Sequence, residues 1–101
     1  MIELRQTPTF KRAYKKLREN ERKDVNVAIQ YIIDHPEVGE LKTGDLAGVR
    51  VYKFRVYDQQ ILLAYKYDGE KVILLMAIGV HENFYRELKI DRNGLIAYKA
   101  H

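Results

Sequence analysis

The chain contains no cysteine and no tryptophan, and it has only two prolines. The absence of cysteine excludes disulfide bonds, thiolate nucleophiles and zinc–thiolate sites, which is typical of proteins in a reducing compartment. Long hydrophobic runs are also missing. No apolar stretch approaches the roughly 18 residues that cross a bilayer, and residues 1–5 lack the apolar segment of a secretion signal. We therefore expect a cytoplasmic protein without membrane association.

Positive charge and apolar residues are both plentiful. The 101 residues are 47% hydrophobic, enough for one small domain with a core. Eighteen Lys and Arg residues stand against fourteen Asp and Glu residues, so the net charge is +4. A basic balance favours a polyanionic or acidic partner. His35 and His101 have no neighbours at metal-ligand spacing, so the sequence predicts no metal and no other cofactor.

The N-terminal third predicts a strand followed by a helical hairpin. Residues 2–6 alternate apolar and polar side chains, and Thr7–Pro8 is typical of a helix start. Two apolar stripes with helical spacing follow, and residues 20–21 separate them. The stripes consist of Phe10, Tyr14 and Leu17, and then of Val25, Ala28, Ile29, Ile32 and Ile33. The second helix is expected to stop before Pro36.

The remainder of the domain has a period of two. Residues 36–48 contain three glycines and predict a connecting loop, after which strands are expected at 49–56, 60–67 and 71–79. Asp68–Gly69 favours a tight hairpin, so these strands predict an antiparallel meander. Helical spacing returns at Phe84 and Leu88, whereas residues 91–101 have no period and predict a tail. The fold class is α+β: a small antiparallel sheet, the helical hairpin packed on one face, the other face open, and a short C-terminal helix.

The first meander strand carries an alternating pair of cations. Lys53 and Arg55 leave one face of this strand, and Tyr52, Phe54 and Val56 leave the other. The cations would lie on the open face, where they can meet a phosphate group. The simpler interpretation is a solvated strand surface without a ligand.

With this order of elements, the chain resembles the RelE/ParE superfamily of bacterial type II toxins over residues 1–89. The resemblance rests on the Leu46-Ala47-Gly48 loop, the basic strand 52–56, Leu63-Ala64-Tyr65, and the strand ending in Ile78-Gly79. Residues 79–85 are similar to the Gly-x-His-x-x-x-aromatic ending of the YafQ-like branch. The resemblance implies a toxin domain over residues 1–90, followed by a tail at 91–101.

The implied activity is metal-independent, ribosome-dependent cleavage of messenger RNA, held in check by a cognate antitoxin in a hetero-oligomeric complex. The implied catalytic residues are Lys53, Arg55, His81 and Tyr85, and Arg50, Lys66 and Arg86 are expected to bind RNA. His81 would transfer protons, because an imidazole titrates near pH ~6.5. Tyr85 would stack on a base or orient the 2′-hydroxyl, and the cations would stabilise charge on the phosphate.

Other interpretations stay open. RelE-like enzymes carry an arginine where this chain has Leu62, and this departure also fits a ParE-type toxin that inhibits DNA gyrase without cleaving RNA. A third hypothesis is a degenerate member that retains antitoxin binding and transcriptional autoregulation. Finally, neither residue needs a catalytic role: His81 can be a histidine at the end of a strand that hydrogen-bonds to a backbone group, and Tyr85 can pack its ring against the sheet with Phe84.

Overall fold

The computed structural model describes residues 2–80 in full and the backbone of residues 88–90 and 96–98. Two helices and seven strands are found in this part of the chain. They are β1 (Glu3–Gln6), α1 (Pro8–Lys15), α2 (Glu19–Asp34), β2 (Glu40–Leu41), β3 (Arg50–Val56), β4 (Gln59–Tyr67), β5 (Val72–Val80), β6 (Leu88–Ile90) and β7 (Ile96–Tyr98). A 3-10 helix at Gly44–Leu46 precedes β3.

The main sheet has the strand order β1-β5-β4-β3-β2. β3, β4 and β5 form the predicted antiparallel meander, within one residue of the predicted bounds. β1 lies beside β5 and runs parallel to it. The two helices and the loop lead from β1 to the far edge of the sheet, and β2, β3, β4 and β5 then pair in succession back towards β1. The α+β class is confirmed, and the sheet is mixed rather than wholly antiparallel. At the other edge, β2 pairs only with Arg50 and Val51.

The helical hairpin forms for the local reasons that the sequence indicates. The Thr7 hydroxyl accepts the Phe10 N–H at 3.1 Å and donates to the Met76 carbonyl at 2.8 Å, so one side chain caps α1 and joins it to β5. α2 begins at Glu19, earlier than predicted, because the Glu21 carboxylate accepts the Arg18 N–H at 2.8 Å and residues 20–21 make its first turn. As expected, α2 ends before Pro36.

Buried side chains lie on both faces of the sheet. The cluster under the helices consists of Phe10, Val25, Ile32, Leu63, Tyr65, Ile73, Leu75 and Ile78. The cluster on the opposite face consists of Val49, Val51, Leu62, Ala64, Met76 and Ala77. The expectation of an open second face is therefore wrong at the centre of the sheet. It holds at Lys53 and Arg55, which are exposed.

The C-terminal predictions fall largely outside the described residues. The short helix expected after Gly79 falls mostly on residues 81–87, which lie outside the described residues. Leu88, which was part of its spacing, lies in a strand. Leu88–Ile90 pairs antiparallel with Ile96–Tyr98, so part of the expected tail is a strand. The domain boundary at residue 90 stays a prediction. In the described part of the chain, neither helix is both long enough and apolar enough to span a bilayer.

The β4–β5 turn is organised by one carboxylate and gives a prediction of pH dependence. Asp68 accepts the N–H groups of Glu70, Lys71 and Val72 at 2.8, 2.8 and 2.9 Å. These bonds, the one from Val72 foremost, lower the pKa of the Asp68 carboxyl. The stabilisation is therefore fully present above the ordinary carboxyl range near ~4 and is lost as the pH falls through the lowered value.

We expect Asp68→Ala to lower the melting temperature at pH 7 and to flatten the acid limb of the stability curve. Thermal unfolding followed by circular dichroism from neutral to acid pH measures both effects. Asp68→Asn is the matched control, since its amide oxygen still accepts hydrogen bonds but does not titrate. A wild-type acid limb in Asp68→Ala would show that this carboxylate does not hold the turn.

Candidate functional site

The structure places Lys53 and Arg55 side by side on β3. Both side chains are exposed, and both lie on the face away from the helices. Lys53 is opposite Leu62 of β4, and Arg55 is opposite Gln60. Residues two apart in a strand are separated by ~6.6 Å, so the ammonium and guanidinium groups can approach one phosphate together. The predicted pair of cations is thus a feature of the surface.

A buried apolar side chain lies beside Lys53 on the neighbouring strand. Leu62 pairs with Lys53 on one side and with Gly79 of β5 on the other. The Leu62 side chain is 0% exposed and belongs to the second buried cluster. This position therefore contributes packing and no charge, and the cations of the site come from β3.

A carboxylate near Lys53 was not predicted from the sequence. Glu40 lies on β2 opposite Val51, two residues along β3 from Lys53. A hydrogen bond from Lys42, at 2.7 Å, lowers the pKa of Glu40, and the charges of Lys42 and, less strongly, Lys53 act in the same direction. An ionised carboxylate here attracts the Lys53 ammonium group and repels a phosphate that approaches too closely.

Arg50 does not join Lys53 and Arg55. It lies on the helix side of β3, where its Nη1 donates to the carbonyls of Glu37 at 3.1 Å and Gly39 at 2.9 Å. The buried Tyr65 hydroxyl completes this cluster, since it donates to the Pro36 carbonyl at 2.7 Å and accepts the Gly39 N–H at 2.9 Å. Burial raises the pKa of Tyr65, an effect that the Gly39 bond and the Arg50 charge partly oppose. Arg50 thus holds residues 36–39 against the sheet.

The other predicted residues are not assembled around the cation pair within the described structure. Lys66 lies on the same face of β4 as Leu62, the residue opposite Lys53. The two are four residues apart, which separates Lys66 from Leu62 by ~13 Å. His81, Tyr85 and Arg86 lie outside the described residues. β5 ends at Val80 opposite Ile61, so the chain leaves the described sheet at the end where Arg55 lies. Among residues 2–80 no group of three or more potential metal ligands is found.

An aromatic cleft lies between α2 and β3. The ring centroids of Tyr31 and Tyr52 are 5.8 Å apart, as are those of Tyr52 and Phe54. These rings line a cleft of about 240 Å³ together with Asp24, Val27, Ala28 and Arg55. Val27 is 70% exposed and Tyr31 is 43% exposed, so apolar surface lies beside the Arg55 cation. Arg55 therefore borders both the basic strand surface and the cleft.

Comparisons with known proteins point to one group. A family model described as a ParE-like toxin of type II bacterial toxin-antitoxin systems matches residues 4–89. No curated protein sequence matches the chain. The fold is similar to a chain of the E. coli RelBE toxin-antitoxin complex, with a TM-score of 0.63 and 16% identity over 79% of this chain and 96% of that chain.

Two further structures share this fold. The isolated E. coli RelE toxin gives a TM-score of 0.62 and 17% identity over 79% of this chain and 84% of its own. A double-arginine mutant of E. coli RelE in the free state gives 0.64 and 17% identity over 80% and 84%. At such identities the likeness concerns the fold and not the chemistry.

Proposed function

The chain belongs to the ParE-like toxin family of bacterial type II toxin-antitoxin systems, within the RelE/ParE superfamily, and from this premise we propose that it is an endoribonuclease that inhibits translation. Its substrate is messenger RNA, cleaved without a metal ion and on the ribosome, in the cytoplasm. The observation that supports this most is the exposed pair Lys53 and Arg55 on β3, neither of which has an ion pair among the described residues.

The chemistry needs a charge-stabilising group and a proton-transfer group. In metal-free cleavage the ribose 2′-hydroxyl loses its proton, the 2′-oxygen attacks phosphorus, and the 5′-oxygen leaves with a proton. The products are a 2′,3′-cyclic phosphate and a 5′-hydroxyl. Lys53 and Arg55 stabilise the negative charge on the phosphorane oxygens, and Arg55 can hold two of them at once.

His81 takes the proton-transfer role in this proposal. An imidazole can accept the 2′-hydroxyl proton when neutral, or donate to the leaving oxygen when charged. Tyr85 stacks on a base or orients the 2′-hydroxyl, because a phenol with an ordinary pKa near ~10 is a weak base at neutral pH. Lys66 and Arg86 contact the RNA backbone. Arg50, which is occupied by the carbonyls of Glu37 and Gly39, supports the sheet beneath the site.

The partner that regulates this activity is the cognate antitoxin. Toxins of this family act with an antitoxin, and the exposed surface suggests what the antitoxin segment contains. Acidic side chains of the segment would complement Arg55 and Lys53, and its apolar side chains would cover Val27 and Tyr31. Such a segment folds as it binds. Occupation of Arg55 by an acidic group excludes a phosphate from the same guanidinium.

A second candidate function is inhibition of DNA gyrase by binding alone. It is favoured by the ParE-like description of the matching family model and by the buried Leu62, which stands where RelE-like enzymes carry an arginine. In this case the basic strand and the cleft are a protein-binding surface, and His81 has no chemical role.

Expression of the wild type and of His81→Ala in growing cells separates the two functions. For the nuclease we expect cleaved translated transcripts in the wild type and a rate at least about 10²-fold lower in His81→Ala, because a positioned proton-transfer group contributes roughly that much. Primer extension measures the cleavage. Intact transcripts with altered plasmid supercoiling and equal toxicity of both forms would instead support gyrase inhibition.

A further inference from the structure

α1 carries a second basic surface that the proposed cleavage does not use. Lys11, Arg12, Lys15 and Lys16 are all exposed, and we call them the basic α1 face. α1 contains no acidic residue. In the part of the chain with described side chains, none of these four residues forms an ion pair.

The repulsion between these cations destabilises α1, and no acidic side chain in α1 offsets it. Lys11 and Lys15 lie four residues apart, as do Arg12 and Lys16, and like charges at that spacing repel each other across one helical turn. The helix dipole favours cations in the last turn, which accounts for Arg12 and Lys15. It does not account for Lys11 or for the unrelieved repulsion.

The packing of α1 fixes this face outward and away from the cation pair of β3. Phe10 is buried beneath the helix, and the Tyr14 hydroxyl donates to the Asn26 side chain at 2.7 Å, so α1 is held against both the sheet and α2. Thr7 joins α1 to β5, on the helix side of the sheet. Lys53 and Arg55 lie on the opposite face and two strands away. The two basic surfaces are therefore separate.

The composition of the basic α1 face identifies the class of partner. Protein interfaces have an apolar core and are depleted in lysine, but the large exposed hydrophobic side chains of residues 2–80 all lie outside α1. A nucleic-acid backbone, in contrast, is bound by lysine and arginine without apolar anchors. From the charge, the exposure and the missing apolar residues, we infer that the basic α1 face binds the phosphate backbone of a folded nucleic acid without reading its sequence.

This inference goes beyond the proposed cleavage, since it needs neither His81 nor the cations of β3. The test is fluorescence anisotropy of the full chain with an RNA hairpin and a DNA hairpin of equal sequence, from about 50 to 200 mM salt. The slope of log affinity against log salt counts the phosphate contacts, at about 0.7–0.9 per contact. We expect Lys15→Gln/Lys16→Gln, which removes two contacts, to reduce this slope by about 1.4–1.8. Its melting temperature should be at or above that of the wild type, because repulsion between the cations is relieved.

Single variants supply the matched control. Lys15→Gln is expected to lose about one contact, whereas Lys71→Gln, an exposed lysine in the β4–β5 turn, keeps the wild-type slope. Tighter binding of either hairpin shows whether RNA or DNA is the source of the phosphates, and either result supports the inference. Equal slopes for Lys15→Gln and Lys71→Gln would overturn it, as would a wild type that binds polyglutamate and neither hairpin.

The hairpin-binding measurements and the transcript-cleavage measurements can succeed or fail separately. Lys53→Gln/Arg55→Gln should lose cleavage but keep the part of the salt slope that depends on Lys15 and Lys16. If the wild type cleaves no transcript, the proposed function fails while the hairpin measurements still stand. If instead the α1 variants bind like the wild type while cleavage depends on β3, only the inference fails.

Discussion

Transcript cleavage is expected to fall by about 10²-fold or more when Lys53 and Arg55 are both replaced by glutamine, because preorganised charge at the reacting phosphate stabilises the transition state by several kcal/mol. Both side chains are exposed and lie on one face of a strand that pairs with β4 along its whole length, so their loss removes charge without opening the core. Single substitutions should differ. Arg55→Gln should cost more than Lys53→Gln, since a guanidinium binds two phosphate oxygens in a fixed geometry.

Primer extension on translated transcripts, with growth rate as a second measurement, checks this result. The control is Arg5→Gln/Lys71→Gln, which removes one arginine and one lysine from exposed sites elsewhere and gives the same net charge. The control should cleave like the wild type. Undiminished cleavage by Lys53→Gln/Arg55→Gln, in protein with a normal circular dichroism spectrum, would leave the basic strand as an ordinary solvated surface.

Gly39→Ala is expected to destabilise the fold by about 2–3 kcal/mol, because the added methyl group has no space. A Cβ atom at Gly39 would lie 2.8 Å from Tyr65 Cε1, 2.9 Å from the Tyr65 hydroxyl and 3.1 Å from Arg50 Cβ. These atoms belong to the hydrogen-bonded cluster that holds residues 36–39 to the sheet. Urea unfolding measures the change, and a loss below about 0.5 kcal/mol would show that the cluster adapts easily.

Tyr65→Phe tests the same cluster without a clash. We expect a loss of about 1–3 kcal/mol, because the Gly39 N–H and the Pro36 carbonyl both lose their partner. The control is Tyr67→Phe, on the same face of β4 but without a hydroxyl hydrogen bond among the described residues. Burial raises the pKa of Tyr65, so its contribution is present below the ordinary value near ~10 and is lost as the pH rises through the raised value. Tyr65→Phe should lack that alkaline loss.

The meander was predictable because its chemistry is local. A period of two from residue 49, with Asp68–Gly69 at a turn, gave the three central strands within a residue of their observed bounds. Thr7 and Pro36 likewise bounded the helical hairpin correctly. β2 was not predicted, because two residues are too few to show a period, and with it Glu40 was missed.

Other features of the site depended on tertiary contacts. Arg50 is three residues from Lys53, so strict alternation already places them on opposite faces of β3, a signal that the sequence did contain. The burial of Leu62 follows from the cluster on the second face. Its local signal is the unbroken apolar run at residues 61–65, which is typical of a strand covered on both faces. His81 and Tyr85 stay predictions.

The limited reach of β2 has a consequence for the behaviour of the protein in solution. Among the described strands, β2 covers only Arg50 and Val51, so the backbone from Tyr52 to Val56 offers unpaired N–H and C=O groups. Such a segment is a template for self-association into extended aggregates, and natural proteins guard it with lysine and other charges. Lys53 and Arg55 stand at that position. Electrostatic repulsion between these cations therefore opposes the pairing of two copies at this edge.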